Sequence, residues 1–176
     1  MDFKFLNPFV ESAHDVLSIE LHETIHRGNL SLESGPYSTD DVTVIISMVG
    51  AVEGTVLISM SKATALQLSS SIIGERLENL DRLAQSGIAE LGNVIVARAS
   101  MRMAESGLES NISTPSLIVG NGATISTLDY PRLVVPFNTS AGALVINLAL
   151  REGLHTGFKA PQIVIPKPFD PSRGKI

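Results

Sequence analysis

The chain has 176 residues, of which 44% are hydrophobic, 18% charged and only 5% aromatic, with no cysteine and no tryptophan. These proportions exclude wholesale disorder and call for an aliphatic core, and zero cysteine removes disulfides, thiolate metal sites and thiol nucleophiles together. Thirteen basic against 18 acidic residues give a net charge of −5 with no two Lys/Arg adjacent, which argues against a nucleic-acid binder. No basic n-region with an apolar run opens the sequence, and the longest apolar stretches are strand-length, so a soluble cytoplasmic domain is expected.

The first periodic segment runs from Asn7 to Leu21, with Asn7 as N-cap, Pro8 in the first helical position, and a stripe of Phe9, Ala13, Val16, Leu17 and Leu21. Three strand-like runs follow, Asn29 to Glu33, Val42 to Val49 and Thr55 to Met60, divided by turns at Gly35-Pro36 and Gly50 to Gly54. Ser61 suits the N-cap of a helix from Lys62 to Ile73 that Gly74 ends. A longer helix spans Leu80 to Ser106, with Asn79 as cap and Gly107 as stop. Further strand-like runs cover Ile112 to Val119, Leu133 to Phe137 and Ala143 to Leu150, joined by turns at Gly120-Asn121-Gly122 and Asn138 to Gly142. The order helix, three strands, helices, three strands predicts an α+β fold of two αβββ units, its helices packed on antiparallel sheet. Residues 1–152 then form the domain. Residues 153–176, where four of the nine prolines fall, form a Pro-rich tail in which only Ile163 to Ile165 could pair as a strand.

The long helix carries the candidate site. At about 100° per residue, Leu80, Ala84, Gly87, Leu91, Val94 and Ile95 share one face, which predicts the buried side and takes Arg98 with it. Ser86, Glu90, Asn93, Ala97, Ser100 and Ala104 cluster roughly 120° away. Glu90 and Asn93 stand at i and i+3, so their side chains leave the helix side by side among short neighbours. A carboxylate and an amide on a surface of small residues can admit another protein and position a water, because an amide both donates and accepts.

The segment Ala89-Glu90-Leu91-Gly92-Asn93-Val94-Ile95 resembles the Glu-x-x-Asn signature of the CheC/CheX/FliY group of response-regulator phosphatases. The opening Asn7-Pro8-Phe9-Val10-Glu11-Ser12 and the repeated helix-plus-three-strands order resemble its CheX branch. In the first helix Glu11 is followed three residues later by His14, so only one helix carries the motif. The resemblance implies a CheC-like fold and a phosphatase acting on the phosphoaspartate of a CheY-type receiver domain. Asn93 would orient the attacking water, and Glu90 would dock against the receiver's active-site lysine. Ser86, Ala97 and Ser100 would meet the partner. The receiver would supply Mg²⁺, this chain would bind no cofactor, and a homodimer is expected, with Ala143 to Leu150 as the exposed edge. Ala97 and Arg98 depart from the Gly and Asn common in the family. That departure keeps open a non-catalytic receiver-binding module of the same fold.

One rival motif is literal. His22-Glu23-Thr24-Ile25-His26 matches H-E-x-x-H, in which two His one helical turn apart bind Zn²⁺ and the Glu acts as general base. The apolar stripe of the first helix fades at Leu21, and Leu32 stands where a metzincin's third His would be. The expectation is therefore a chance match and no bound metal. Gly120-Asn121-Gly122 reads as a turn rather than an anion nest.

Overall fold

A computed structural model of the protein describes residues 5–127 and 130–153. Three helices, α1 (Leu6–Leu21), α2 (Lys62–Ile73) and α3 (Arg82–Glu105), lie with ten strands: β1 (His26–Arg27), β2 (Ser31–Glu33), β3 (Tyr37–Ser38), β4 (Val42–Gly50), β5 (Val52–Met60), β6 (Ser110–Ile112), β7 (Ser116–Val119), β8 (Thr124–Ile125), β9 (Arg132–Thr139) and β10 (Gly142–Glu152). The main sheet is antiparallel, in the order β1-β9-β10-β5-β4-β6, with β2 continuing the β1 edge along β9 and β7 continuing the β6 edge along β4. The first strands of each half therefore cross over and pair with the middle strand of the other half. The last strands of both halves, β5 and β10, meet at the centre, Ile146 opposite Ile58. This swapped pairing is what the two αβββ units become in space.

Alternation on the central strands sets the core. Val42, Val44, Ile46 and Met48 of β4, Val56, Ile58 and Met60 of β5, Leu144, Ile146 and Leu148 of β10, and Leu133, Val135 and Phe137 of β9 are buried in one cluster with Phe9, Val16, Leu17, Leu68, Ile88 and Ile95 of the helices. Burying such side chains contributes about 1.5–3 kcal/mol each, which is why the helix positions are decided by their apolar faces.

Several boundaries differ from expectation. Asn7 does not cap α1; the helix starts at Leu6 after Phe5, which makes no side-chain cap bond, and Pro8 sits within the first turn, where no amide hydrogen is required. Asn29 to Glu33 is a strand only from Ser31, and Ile112 to Val119 splits into β6 and β7 around Ser113, whose hydroxyl accepts from the Ser47 amide. The β4–β5 turn is tighter than Gly50 to Gly54. Gly54 belongs to β5 at φ 138°, and a Cβ there would lie 2.0 Å from the Ala149 carbonyl oxygen, so only glycine fits. Most consequentially, Ala143 to Leu150 is no edge. It lies inside β10, paired with β5 on one side and β9 on the other, so no second copy can add to it. The tail beyond Gly153 lies outside the described residues. Among the described residues, no helix is long and apolar enough to cross a membrane.

Candidate active site

α3 is capped by Asp81, not Asn79: the Asp81 carboxylate accepts from the amides of Leu83 and Ala84 at 3.0 Å. At its far end Gly107 takes φ 81° and its amide donates to the Ala104 carbonyl, which stops the helix. Ala84, Ile88, Leu91, Gly92, Ile95, Val96, Ala99 and Met103 are its buried residues with Ser100. The buried arc is thus rotated from the expected one. Leu80, Gly87 and Val94 are only half-buried, and Arg98, expected on the stripe, is exposed. Gly92 is the point of closest approach to the sheet, where a Cβ would meet Val44 Cγ1 at 3.0 Å and Ile58 Cδ1 at 3.5 Å.

With Gly92 pressed on β4, the residues on the opposite arc face outward. Ser86 and Glu90 are exposed, and Asn93 and Ala97 half-buried. Asn93 Nδ2 donates to Glu90 Oε2 across 3.5 Å, a long contact that leaves the Asn93 carbonyl oxygen without a protein partner among the described residues. Ser100, expected on this surface, belongs to the interior: it is 9% exposed and its hydroxyl donates to the Ser110 carbonyl at 2.9 Å, tying α3 to β6. Two large apolar side chains not singled out from the sequence share the outward arc, Leu83 at 52% and Met101 at 69% exposure. Periodicity assigns each to a face but gives no exposure, which is why they were missed.

Residues 42–138, more than half of the chain, match the family model described as chemotaxis phosphatase CheX. The chain belongs to the CheX family. It is 31% identical over 132 residues, 72% of this chain and 83% of the relative, to the CheY-P phosphatase CheX of Thermotoga maritima. Among solved structures it is similar to a CheC-like superfamily protein from Shewanella sp. PV-4, at 25% identity and TM-score 0.77 over 86% of this chain and 99% of that one. It is also similar to the CheX of the CheX–CheY–BeF₃–Mg²⁺ complex from Borrelia burgdorferi, at 29% identity and TM-score 0.74 over 84% and 98%.

The remaining motif residues of this CheX-family chain fall elsewhere. His22 is the left-handed C-cap of α1 at φ 53°, and His26 is on β1, so the two imidazoles do not share a helix face. Glu23 Oε1 accepts from the Ser140 amide at 2.8 Å, a tie to the β9–β10 turn. No three His, Asp, Glu or Cys side chains converge among the described residues. Gly120-Asn121-Gly122 is a turn, its Asn121 amide donating to Asp41 at 3.3 Å. α1 has the burial pattern of α3. With Glu11 set against Glu90, the sequence of buried, half-buried and exposed positions from Phe5 to Ile19 coincides with that from Ala84 to Arg98 at every step except one. The exception is His14, exposed where Asn93 is half-buried. Glu11 lies 3.6 Å from the Arg102 guanidinium, which also donates to Asp15 at 2.6 Å.

Proposed function

We propose that this chain hydrolyses the aspartyl phosphate of a CheY-type receiver domain, with Glu90 and Asn93 as the residues it brings to the reaction. The observation that carries the reading is their arrangement: a carboxylate and an amide side by side on the outward arc of a helix that Gly92 clamps to the sheet, in a chain of the CheX family. An acyl phosphate is labile, so a catalyst gains most by holding water in line with the bond to be broken. The Asn93 carbonyl oxygen accepts a hydrogen bond from that water and aims its lone pair at phosphorus. As the water oxygen bonds to phosphorus, the aspartyl oxygen–phosphorus bond breaks; the receiver regains its carboxylate, phosphate departs and a water proton passes to solvent. Glu90 holds register by a charge-assisted contact to the receiver's lysine and, through the 3.5 Å contact, orients the Asn93 amide. Ser86 and Ala97, both short, let the partner approach. Ser100 has no part in that surface.

The receiver brings the phosphorylated aspartate and Mg²⁺, whose charge neutralises the phosphoryl oxygens; this chain contributes the positioned water and the Glu90 contact that sets register. Homodimer pairing, on the same reading, uses the outer edges β1/β2 or β6/β7, and sedimentation at micromolar concentration tests it. The deciding experiment is the decay of phosphorylated receiver with the full chain at one-hundredth of the receiver concentration. Accelerated decay over many turnovers supports the reading. Protection only at stoichiometric amounts would make the chain a binding module instead.

A further inference from the structure

The outward arc of α3 holds more than the Glu90–Asn93 pair. From Phe5 to Ile19 and from Ala84 to Arg98, α1 and α3 bury the same positions. On that outward arc α3 carries two large apolar side chains, Leu83 and Met101, at 52% and 69% exposure. The exposed apolar residue of α1, Ile19, falls instead at the position of Arg98, off the arc that holds the site.

The placement of the two is specific. Each lies about 20° from Glu90 around the helix axis, Leu83 about 10 Å before Glu90 and Met101 about 12 Å beyond Asn93. Together they span about 27 Å with the Glu90–Asn93 pair near the middle, close to the width of a patch of about 800 Å² that a standard protein interface uses. Exposed apolar side chains scattered singly call for no explanation, but two bracketing a polar pair on one arc offer apolar contact on either side of it. A partner seated on both would exclude bulk water from the centre, where a charge-assisted contact and a positioned water gain from a lower dielectric.

We propose that Leu83 and Met101 are the apolar anchors by which this chain holds its receiver domain, setting affinity and partner choice while Asn93 sets turnover. The inference rests on the phosphatase reading above and deepens it: the partner must present apolar side chains on both sides of its phosphorylated aspartate. Burial of either side chain supplies binding that is equal in ground state and transition state, so its loss appears in KM rather than kcat.

The test is steady-state dephosphorylation of a phosphate-charged CheY-type receiver by the full chain and its Leu83→Gln, Met101→Gln, double, Met101→Leu and Asn93→Ala variants. Glutamine keeps helix propensity and length while removing apolar surface. Each glutamine variant is expected to raise KM about 5- to 20-fold with kcat within about twofold of the parent, the double variant to raise it further, and Met101→Leu to retain the parent KM. Asn93→Ala shows the opposite split, low kcat at ordinary KM. A double variant with unchanged KM, or a Met101→Leu variant as impaired as Met101→Gln, overturns the anchors while leaving the phosphatase reading intact. A parent chain that gives no turnover, or an Asn93→Ala variant with full turnover, overturns the phosphatase reading and the anchors with it. Circular dichroism separates misfolding from lost contact, and Met101→Leu remains decisive if a glutamine variant misfolds.

Discussion

Gly92 of α3 and Val44 of β4 touch at the limit of packing: a Cβ on residue 92 would lie 3.0 Å from Val44 Cγ1. Because Glu90 and Asn93 flank that glycine, the contact fixes how far their side chains stand above the sheet. Both walls are stiff, since Val44 is fully buried and β-branched and Ile58 lies just behind it. Gly92→Val should therefore cost about 2–3 kcal/mol through overpacking. Thermal unfolding measures the loss. At a temperature where the variant is still folded, turnover should also fall, because the helix must lift. Unchanged stability would mean that the helix does not rest on Gly92.

The two motif residues should separate kinetically. Asn93→Ala removes the water-positioning oxygen and is expected to cut turnover about 10²-fold while receiver binding stays near that of the parent. Glu90→Gln weakens a charge-assisted contact and should be rescued in part by high receiver concentration. Glu90 is exposed and Asn93 half-buried, so both variants should unfold within about 0.5 kcal/mol of the parent. Dephosphorylation rate against receiver concentration is the measurement; full turnover in Asn93→Ala would end the mechanism.

Much of this was legible in the residues. The Glu-x-x-Asn spacing gave a shared helix face, and β-branched runs between glycines gave the central strands. The buried arc of α3 was harder, because much of it is made of small residues: Ala84, Gly92, Ala99 and Ser100 face inward while Leu83 and Met101 face out, so apolar periodicity points the wrong way. The edge strands were blurred for a different reason. β1, β2, β6 and β7 are two to four residues long and owe their pairing to the other half of the molecule, which no local pattern encodes. For the same reason β10, long and apolar, looked like an edge and is an inner strand.

Ser100 changes role between sequence and structure, and the new role can be measured. Its hydroxyl satisfies the Ser110 carbonyl, so Ser100→Ala should destabilise by about 1 kcal/mol. KM for the receiver should not change. A raised KM at parental stability would return Ser100 to the docking surface.

The H-E-x-x-H match should be chemically silent. His22 sits at a left-handed helix cap and His26 on a strand, so elemental analysis of purified protein is expected to find no stoichiometric zinc. Replacing His26 with Ala should leave receiver dephosphorylation unchanged. One tightly bound zinc per chain, lost in that variant, would restore the metal reading.

The ion pair between Arg102 on α3 and Asp15 on α1 makes the contact between the two sister helices depend on pH. Asp15 is held below the usual carboxylate range, first by its hydrogen bond from Arg102 at 2.6 Å; burial opposes this in part, and the Arg102 charge and His14 at 3.6 Å add smaller help. Glu11, 3.6 Å from the same guanidinium, faces it too. A carboxyl whose folded pKa is depressed binds fewer protons folded than unfolded. Its stabilisation is therefore complete above the unfolded pKa of about 4 and disappears as pH falls through the lower folded value. Asp15 is 43% exposed, so solvent screening holds the contribution to about 0.5–1 kcal/mol. Asp15→Asn should accordingly melt below the parent at pH 7 by a few degrees. The gap should persist down to about pH 5, then close as acid protonates the parent, and shrink with added salt at neutral pH. Urea unfolding of both chains across pH 2–7 measures it. A gap that stayed constant into acid would assign the effect to packing of the Arg102 stem rather than to its charge.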